Sequence, residues 1–307
     1  MTNPLTSAQA SRAKLCSLLG DLPDRNLPIH SELLWEKECP AYRLQKLRLS
    51  FNGLEDTFAY VTLPNGAEPP YPAVVFNHSH GGDFTIGKEE YINGREYMYQ
   101  IPYADSLSQA GFAGIAIDHW CFGERNHGST QAETFELMLW QGKVLWGMMV
   151  YDSIRTVDYL ASRPDMDPNC IGTLGMSMGS TMAWWLSALD ERIRVCADIC
   201  CMTDYQALID DRGLERHGVY YFVPSLLKYF QTADINALIA PRPHLSINGR
   251  LDPLTPEPGL HKVDAALRKV YSDLGASEKW HMSIYETEHQ ELLEAREEVI
   301  AFLKKYL

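Results

Sequence analysis

From residue 73 onward, short apolar runs alternate with stretches of helical periodicity. The runs are Ala73–Phe76, Ala113–Ile117, Ile171–Leu174, Val195–Ile199, Leu245–Ile247 and Met282–Tyr285. Runs of this kind, bounded by turn formers, read as strands buried on both faces of a sheet. Helical spacing fills Met98–Ala110, Glu133–Ser162, Gly179–Leu189, Leu260–Leu274 and Glu291–Leu307. Strand and helix in alternation predict a parallel sheet with helical crossovers. Upstream, Arg43–Phe51 and Thr57–Leu63 alternate apolar and polar residues across Asn52-Gly53, the signature of an antiparallel hairpin. The prediction is an α/β fold whose eight strands are mostly parallel and flanked by helices.

Two segments stand outside this alternation. Residues 1–42 form a leader with a helix predicted over Ser7–Leu19. Residues 201–233, rich in Tyr, Phe and charge, interrupt the pattern after the sixth strand and read as a small cap over the sheet's C-terminal edge. No repeat or long Pro/Gly/Ser linker divides the rest, so residues 43–307 are expected to form one domain carrying that insertion.

Composition narrows the function. The chain has 307 residues, 46% of them hydrophobic, and a formal charge of −13 from 40 acidic and 27 basic side chains. That charge, without any basic block, argues against a nucleic-acid partner. No stretch approaches the roughly 18 apolar residues of a membrane span, and the N-terminus lacks the pattern of a signal peptide. Seven cysteines, none in a C-x-x-C pair, form no disulfide framework and fit a reducing cytoplasm.

The most informative stretch is Gly175-Met176-Ser177-Met178-Gly179, a G-x-S-x-G between a predicted strand and a predicted helix. A serine on so sharp a turn is presented above the sheet, and flanking glycines remove the Cβ atoms that would clash there. The following helix aims free N–H groups at the same point, making the Met178 amide an oxyanion donor. A serine nucleophile needs a base held by an acid, and the chain order Ser, Asp, His is filled by Asp252 after the Leu245–Ile247 run and His289 after the last strand. Asp198 and Asp204 are the alternative acids. Activity through His289 should fall as it protonates, with a limb at about pH 6 to 7.

The third strand ends in Asn77-His78-Ser79-His80-Gly81-Gly82. In one reading this loop supplies the second oxyanion N–H, from His80. In the other, His78 and His80 ligate zinc or iron, although Asp83 falls one residue late for the H-x-H-x-D-H pattern and Phe84 replaces its last histidine. Trp120, after the fourth strand, either lines a substrate pocket or packs in the core, with Asp118 and Arg125 bracing its loop. His217 and Tyr221 in the cap are further candidate substrate contacts.

These features resemble the α/β-hydrolases of the dienelactone hydrolase and acetyl xylan esterase-like group, from about Pro72 to Leu307. The resemblance is carried by His78-Ser79-His80-Gly81-Gly82, Gly87-Lys88-Glu89, Ala116-Ile117-Asp118, Phe122-Gly123-Glu124, Asp158-Tyr159-Leu160-Ala161-Ser162-Arg163-Pro164, the elbow motif and Ala240-Pro241-Arg242-Pro243. It implies the α/β-hydrolase fold, a triad of Ser177, Asp252 and His289, and oxyanion donors at His80 and Met178. Ser79 departs from it where a glycine is usual, as does Ser180 after the motif. Dienelactone hydrolases use a cysteine nucleophile, so serine here favours esterase chemistry. The expected activity is hydrolysis of a small-molecule carboxylic ester, acetyl-type by resemblance, with no cofactor and no metal. Cleavage of a C–C bond or a peptide on the same triad, and a non-catalytic binding role on this fold, are the alternatives. The leader and exposed-looking aromatics suggest a homodimer contact.

Overall fold

The computed structural model describes residues 7–307; residues 1–6 of the expected leader lie outside the described residues. The strands are β1 (His30–Glu38), β2 (Tyr42–Ser50), β3 (Thr57–Pro64), β4 (Tyr71–Asn77), β5 (Ala113–Ile117), β6 (Met166–Met176), β7 (Ile193–Ile199), β8 (His244–Gly249) and β9 (Trp280–Tyr285). The helices are α1 (Ala8–Ser17), α2 (Glu89–Asn93), α3 (Tyr103–Gln109), α4 (Gln131–Trp140), α5 (Leu145–Ser162), α6 (Met178–Leu189), α7 (Tyr205–Asp210), α8 (Thr232–Ala237), α9 (Glu257–Asp273) and α10 (Leu293–Tyr306).

All nine strands form one sheet in the order β1-β2-β3-β5-β4-β6-β7-β8-β9. Pairing is antiparallel from β1 to β5 and parallel from there to β9. Consecutive residues of β4 point to opposite faces. Val75 joins Val61, Ile115, Val157 and Leu160 on one face. Val74 and Phe76 join Tyr103, Leu107, Val299 and Leu303 on the other. Burial on both faces is why the central strands carry apolar residues at nearly every position.

Two expectations are corrected. The sheet has nine strands, not eight, because residues 30–38 of the leader form β1, which pairs with β2 and is exposed at every position. With both faces wet, its sequence has no alternation to read. The helix expected over Glu133–Ser162 is two helices, broken at Gly142, which has a φ of +75°. Residues 201–233 contain α7 and three single 3₁₀ turns, at Leu214–Arg216, Val219–Tyr221 and Leu226–Lys228.

The topology fixes where a site can form. After β4 the chain moves to β5 on one side and then returns to β6 on the other. The loops leaving β4 and β6 therefore diverge, and a crevice opens at the C-terminal ends of these two strands.

Candidate active site

Ser177 sits at the turn from β6 into α6 with φ +59° and ψ −120°. A side chain held in that region costs on the order of 1–3 kcal/mol, which the surroundings must offset. Its N–H donates to Ile199 O at 2.9 Å, and its carbonyl accepts from Thr181 N–H at 3.1 Å. A Cβ on Gly179 would lie 1.9 Å from Asn77 O, and one on Gly175 would lie 2.3 Å from Gly179 O. Only glycine lets the turn pack this closely on the end of β4. Asn77 Nδ2 secures that end by donating to Thr173 Oγ1 at 2.9 Å and Leu174 O at 3.0 Å.

Asp252 and His289 come from the loops after β8 and β9. His289 Nδ1 and Asp252 Oδ2 are 2.7 Å apart, with the Asp252 side chain fully buried and that of His289 22% exposed. An ionised carboxylate accepts, so Nδ1 carries the proton and Nε2 keeps its lone pair. The other oxygen of Asp252 accepts Leu254 N–H at 2.8 Å. The two loops are tied by Arg250 N–H to Tyr285 O at 2.8 Å and Leu251 N–H to Thr287 O at 3.0 Å. His289 and Ser177 line one cavity of about 410 Å³, together with His80, Gly81, Gly82, Tyr97, His217 and Tyr220.

The alternative acids are committed elsewhere. Asp198 accepts from His244 Nε2 at 2.6 Å and Ser246 Oγ at 2.8 Å. Asp204 caps α7 through Ala207 N–H at 2.9 Å and holds Lys262 Nζ with both oxygens at 2.9 Å.

The loop after β4 is held by both of its histidines. His78 is fully buried; its Nε2 accepts His119 N–H at 3.1 Å, and its Nδ1–H donates to Ser79 O at 2.8 Å. Both ring nitrogens are thus engaged with backbone, and desolvation lowers the pKa to about 3. His80 packs among Phe84, Phe122 and Tyr220, its Nδ1 accepting Gly82 N–H at 3.2 Å and its Nε2 meeting Gln131 Oε1 at 3.3 Å. The H-x-H pair thus directs its ring nitrogens to hydrogen bonds with the loop backbone and Gln131. Among the described residues, two other groups have ligand spacing: Cys196, Asp198 and His244, all buried, and Cys200 with Asp252 and His289. Both of the expected oxyanion donors border Ser177. His80 lines the cavity, and Met178 directly follows Ser177 as the first residue of α6, where an N–H has no intrahelical acceptor.

Of the three expected substrate contacts, only His217 lines the cavity of Ser177. Its Nε2–H donates to Leu254 O at 3.1 Å, and desolvation by burial lowers its pKa to about 4. Tyr221 is corrected to a place behind His217: it stacks on that ring at 4.4 Å and faces a separate apolar cavity with Leu214, Phe222 and Leu226. Trp120 is corrected as well, since it lines a different cavity with Leu54, Glu55 and Leu137. Its ring lies 4.4 Å from Arg125, which forms a buried pair with Asp152 at 2.8 Å. Bracing is thus the role of that loop, as it is for Asp118, paired with the buried Lys88 at 2.8 Å.

The sequence did not single out Tyr97, Glu215, Arg216 or Leu254, all of which line the cavity. None lies in a motif. Tyr97 reaches the site because its carbonyl accepts Glu291 N–H at 2.8 Å, which draws its loop against the segment that follows His289.

Comparison with known proteins agrees with this architecture. The chain is 47% identical over 296 residues to the Bacillus subtilis (strain 168) protein named "Putative hydrolase YtaP", covering 96% of this chain and 98% of that protein. Among solved structures, a glucuronoyl esterase from Solibacter usitatus superposes with a TM-score of 0.73 at 16% identity, over 98% of this chain and 94% of its own. An acetyl xylan esterase from Paenibacillus sp. R4 gives a TM-score of 0.63 at 15% identity, over 98% and 92%. At such identities these two likenesses establish the shared fold. The profile of the Abhydrolase family matches residues 31–288, and the chain belongs to that family: it is an α/β-hydrolase.

Proposed function

We propose that the protein hydrolyses small-molecule carboxylic esters through an acyl-enzyme on Ser177. The observation that carries this reading is the 2.7 Å pair of His289 Nδ1 and the buried Asp252, on the same cavity as a serine held at positive φ. Ser177 Oγ attacks the ester carbon as its proton passes to His289 Nε2. Asp252 keeps the imidazole in the tautomer that can accept there and balances the imidazolium that forms. The N–H groups of His80 and Met178 stabilise the tetrahedral oxyanion, each worth about 10²- to 10³-fold in kcat. Collapse expels the alcohol with the proton from His289, and water then releases the acid by the same steps in reverse order.

A short acyl group suits the site. The cavity beside Ser177 is about 410 Å³; Gly81 and Gly82 line it beside Ser177, and Tyr97, Tyr220 and Leu254 give it apolar surface. Structural likeness to an acetyl xylan esterase favours acetyl esters in particular. In this reading residues 201–233 act as a cap that closes over the alcohol side, contributing His217 and Tyr220. Among the described residues no helix is long and apolar enough to cross a membrane. The cysteine pattern favours a cytoplasmic setting.

The test is hydrolysis of p-nitrophenyl acetate, butyrate and octanoate by the wild type and Ser177→Ala, with and without a metal chelator. The expected result is chelator-insensitive turnover that falls by about 10³-fold or more in the variant and is fastest with acetate. Turnover that survives Ser177→Ala would overturn the reading. Inertness toward all three esters with turnover of a diketone or peptide would replace ester hydrolysis with C–C or peptide cleavage, and ligand binding without turnover would replace it with a binding role.

A further inference from the structure

Ser79, the departure from glycine in the loop after β4, is the hub of a buried relay. Its backbone N–H donates to Glu90 Oε1 at 2.9 Å, and its Oγ–H donates to Glu90 Oε2. A hydroxyl has one proton, so the contact between Ser79 Oγ and Tyr97 OH must be a bond donated by the tyrosine. Glu90 therefore holds Ser79 at two points, and the peptide that follows carries the His80 N–H. Gly81 is wedged behind it: a Cβ there would lie 1.8 Å from an Arg95 nitrogen and 2.5 Å from Tyr97 OH. At the other end of the relay, Tyr97 lines the cavity with its ring 6.2 Å from that of His289.

We propose that Glu90, acting through Ser79 and Tyr97, is a positioning residue that fixes the oxyanion loop, and that its ionisation sets the direction of this relay. The proposal rests on the ester-hydrolase reading of Ser177. With Glu90 ionised, both Ser79 donors point at the carboxylate and Tyr97 donates inward. A protonated Glu90 puts its own O–H against Ser79 Oγ. Ser79 must then donate to Tyr97, and the tyrosine proton turns away from the relay. The Ser79 N–H still donates to Oε1, so what reverses is the pair of bonds at Ser79 Oγ, and with them the sense of the Tyr97 hydroxyl at the edge of the cavity.

The groups facing Glu90 are Ser79 from the β4 loop, Arg95 with Nε 3.9 Å away, Tyr97, and Glu291 from the segment before α10. Full burial, reinforced by the like charge of Glu291 and opposed by Arg95 and the two Ser79 bonds, raises the Glu90 pKa to about 7. Acidification then protonates Glu90 and reverses the relay. The acid limb of the rate should carry an ionisation that belongs to Glu90.

The test compares wild type, Glu90→Gln, Tyr97→Phe and Ser177→Ala on p-nitrophenyl acetate across pH 5 to 9, with thermal melts of each. In Glu90→Gln the side-chain amide accepts the Ser79 N–H but donates to Oγ, locking the relay in its reversed sense without titrating. Glu90→Gln should lower kcat at pH 8 by about tenfold or more, leave KM within about threefold, and remove that ionisation from the acid limb. Tyr97→Phe removes the end of the relay without touching a buried charge, and should likewise uncouple the rate from the Glu90 ionisation even if Glu90→Gln melts early. Wild-type kcat with an unchanged acid limb in both variants would overturn the proposal. If Ser177→Ala is inactive while Glu90→Gln behaves as wild type, the positioning role fails and the serine mechanism stands. If Ser177→Ala is fully active, the serine mechanism itself fails.

Discussion

Gly179→Ala adds one methyl group at the tightest point of the elbow. The new Cβ would lie 1.9 Å from Asn77 O, 2.6 Å from Asn77 C and 3.0 Å from His78 O. All three are backbone atoms, so no side-chain rotation relieves the clash. Ordinary contact begins near 3.4 Å, and either the first turn of α6 or the end of β4 must move by about 1.5 Å. Overpacking of this kind costs about 1–3 kcal/mol, and for a chain of this length that lowers Tm by several degrees. The catalytic effect should be larger. A displacement of about 1 Å between reacting groups costs on the order of 10²-fold, and this one moves Ser177 and Met178 relative to His80. The assay is kcat on p-nitrophenyl acetate beside a thermal melt. Gly66→Ala is the control, since its Cβ meets nothing within 4 Å. Gly179→Ala with kcat within about threefold of wild type and an unchanged Tm would refute the claim that the elbow is set by contact with β4.

Three further outcomes follow from the geometry. Asp252→Asn should lower kcat by about 10³- to 10⁴-fold with the fold intact, because the amide no longer selects the Nδ1–H tautomer of His289; steady-state kinetics with a melt of the variant check it. Trp120→Phe should leave kcat/KM for acetate esters within about twofold, since its ring faces a different cavity, and a selective rise in KM would return it to the substrate site. His217, with its pKa lowered to about 4 by burial from an unfolded value of about 6.5, contributes stability that is complete above about pH 6.5 and is lost as pH falls toward 4. The stability difference between wild type and His217→Gln in urea should therefore shrink by up to about 3 kcal/mol from about pH 7 to pH 4, and a constant difference would contradict the burial argument.

What the sequence revealed follows a physical rule. Ser177, Asp252 and His289 each stand just past a strand buried among its neighbours, so apolar runs marked their places along the sheet edge. The glycines of the elbow were readable because backbone contact at Gly175 and Gly179 leaves no room for another residue. β1 was illegible for the opposite reason, as an edge strand wet on both sides obeys no periodicity. Trp120 was placed on the correct edge but the wrong side. Cys121 turns the chain with a φ of +74°, and Arg125 draws the indole toward Asp152. Glu90 and Tyr97 carried no signal, since their contact with Ser79 joins a short helix and a loop that only the folded chain brings to the end of β4.

The central claim is that Ser177, activated by His289, is the group that attacks the substrate. Treatment of the protein with a fluorophosphonate, followed by intact mass and peptide mapping, tests it most directly. The account predicts one adduct, on the peptide that contains Ser177, formed in step with loss of ester hydrolysis and abolished in Ser177→Ala. An adduct on any other residue that accompanies the loss of activity, or full activity with Ser177 quantitatively modified, would contradict it.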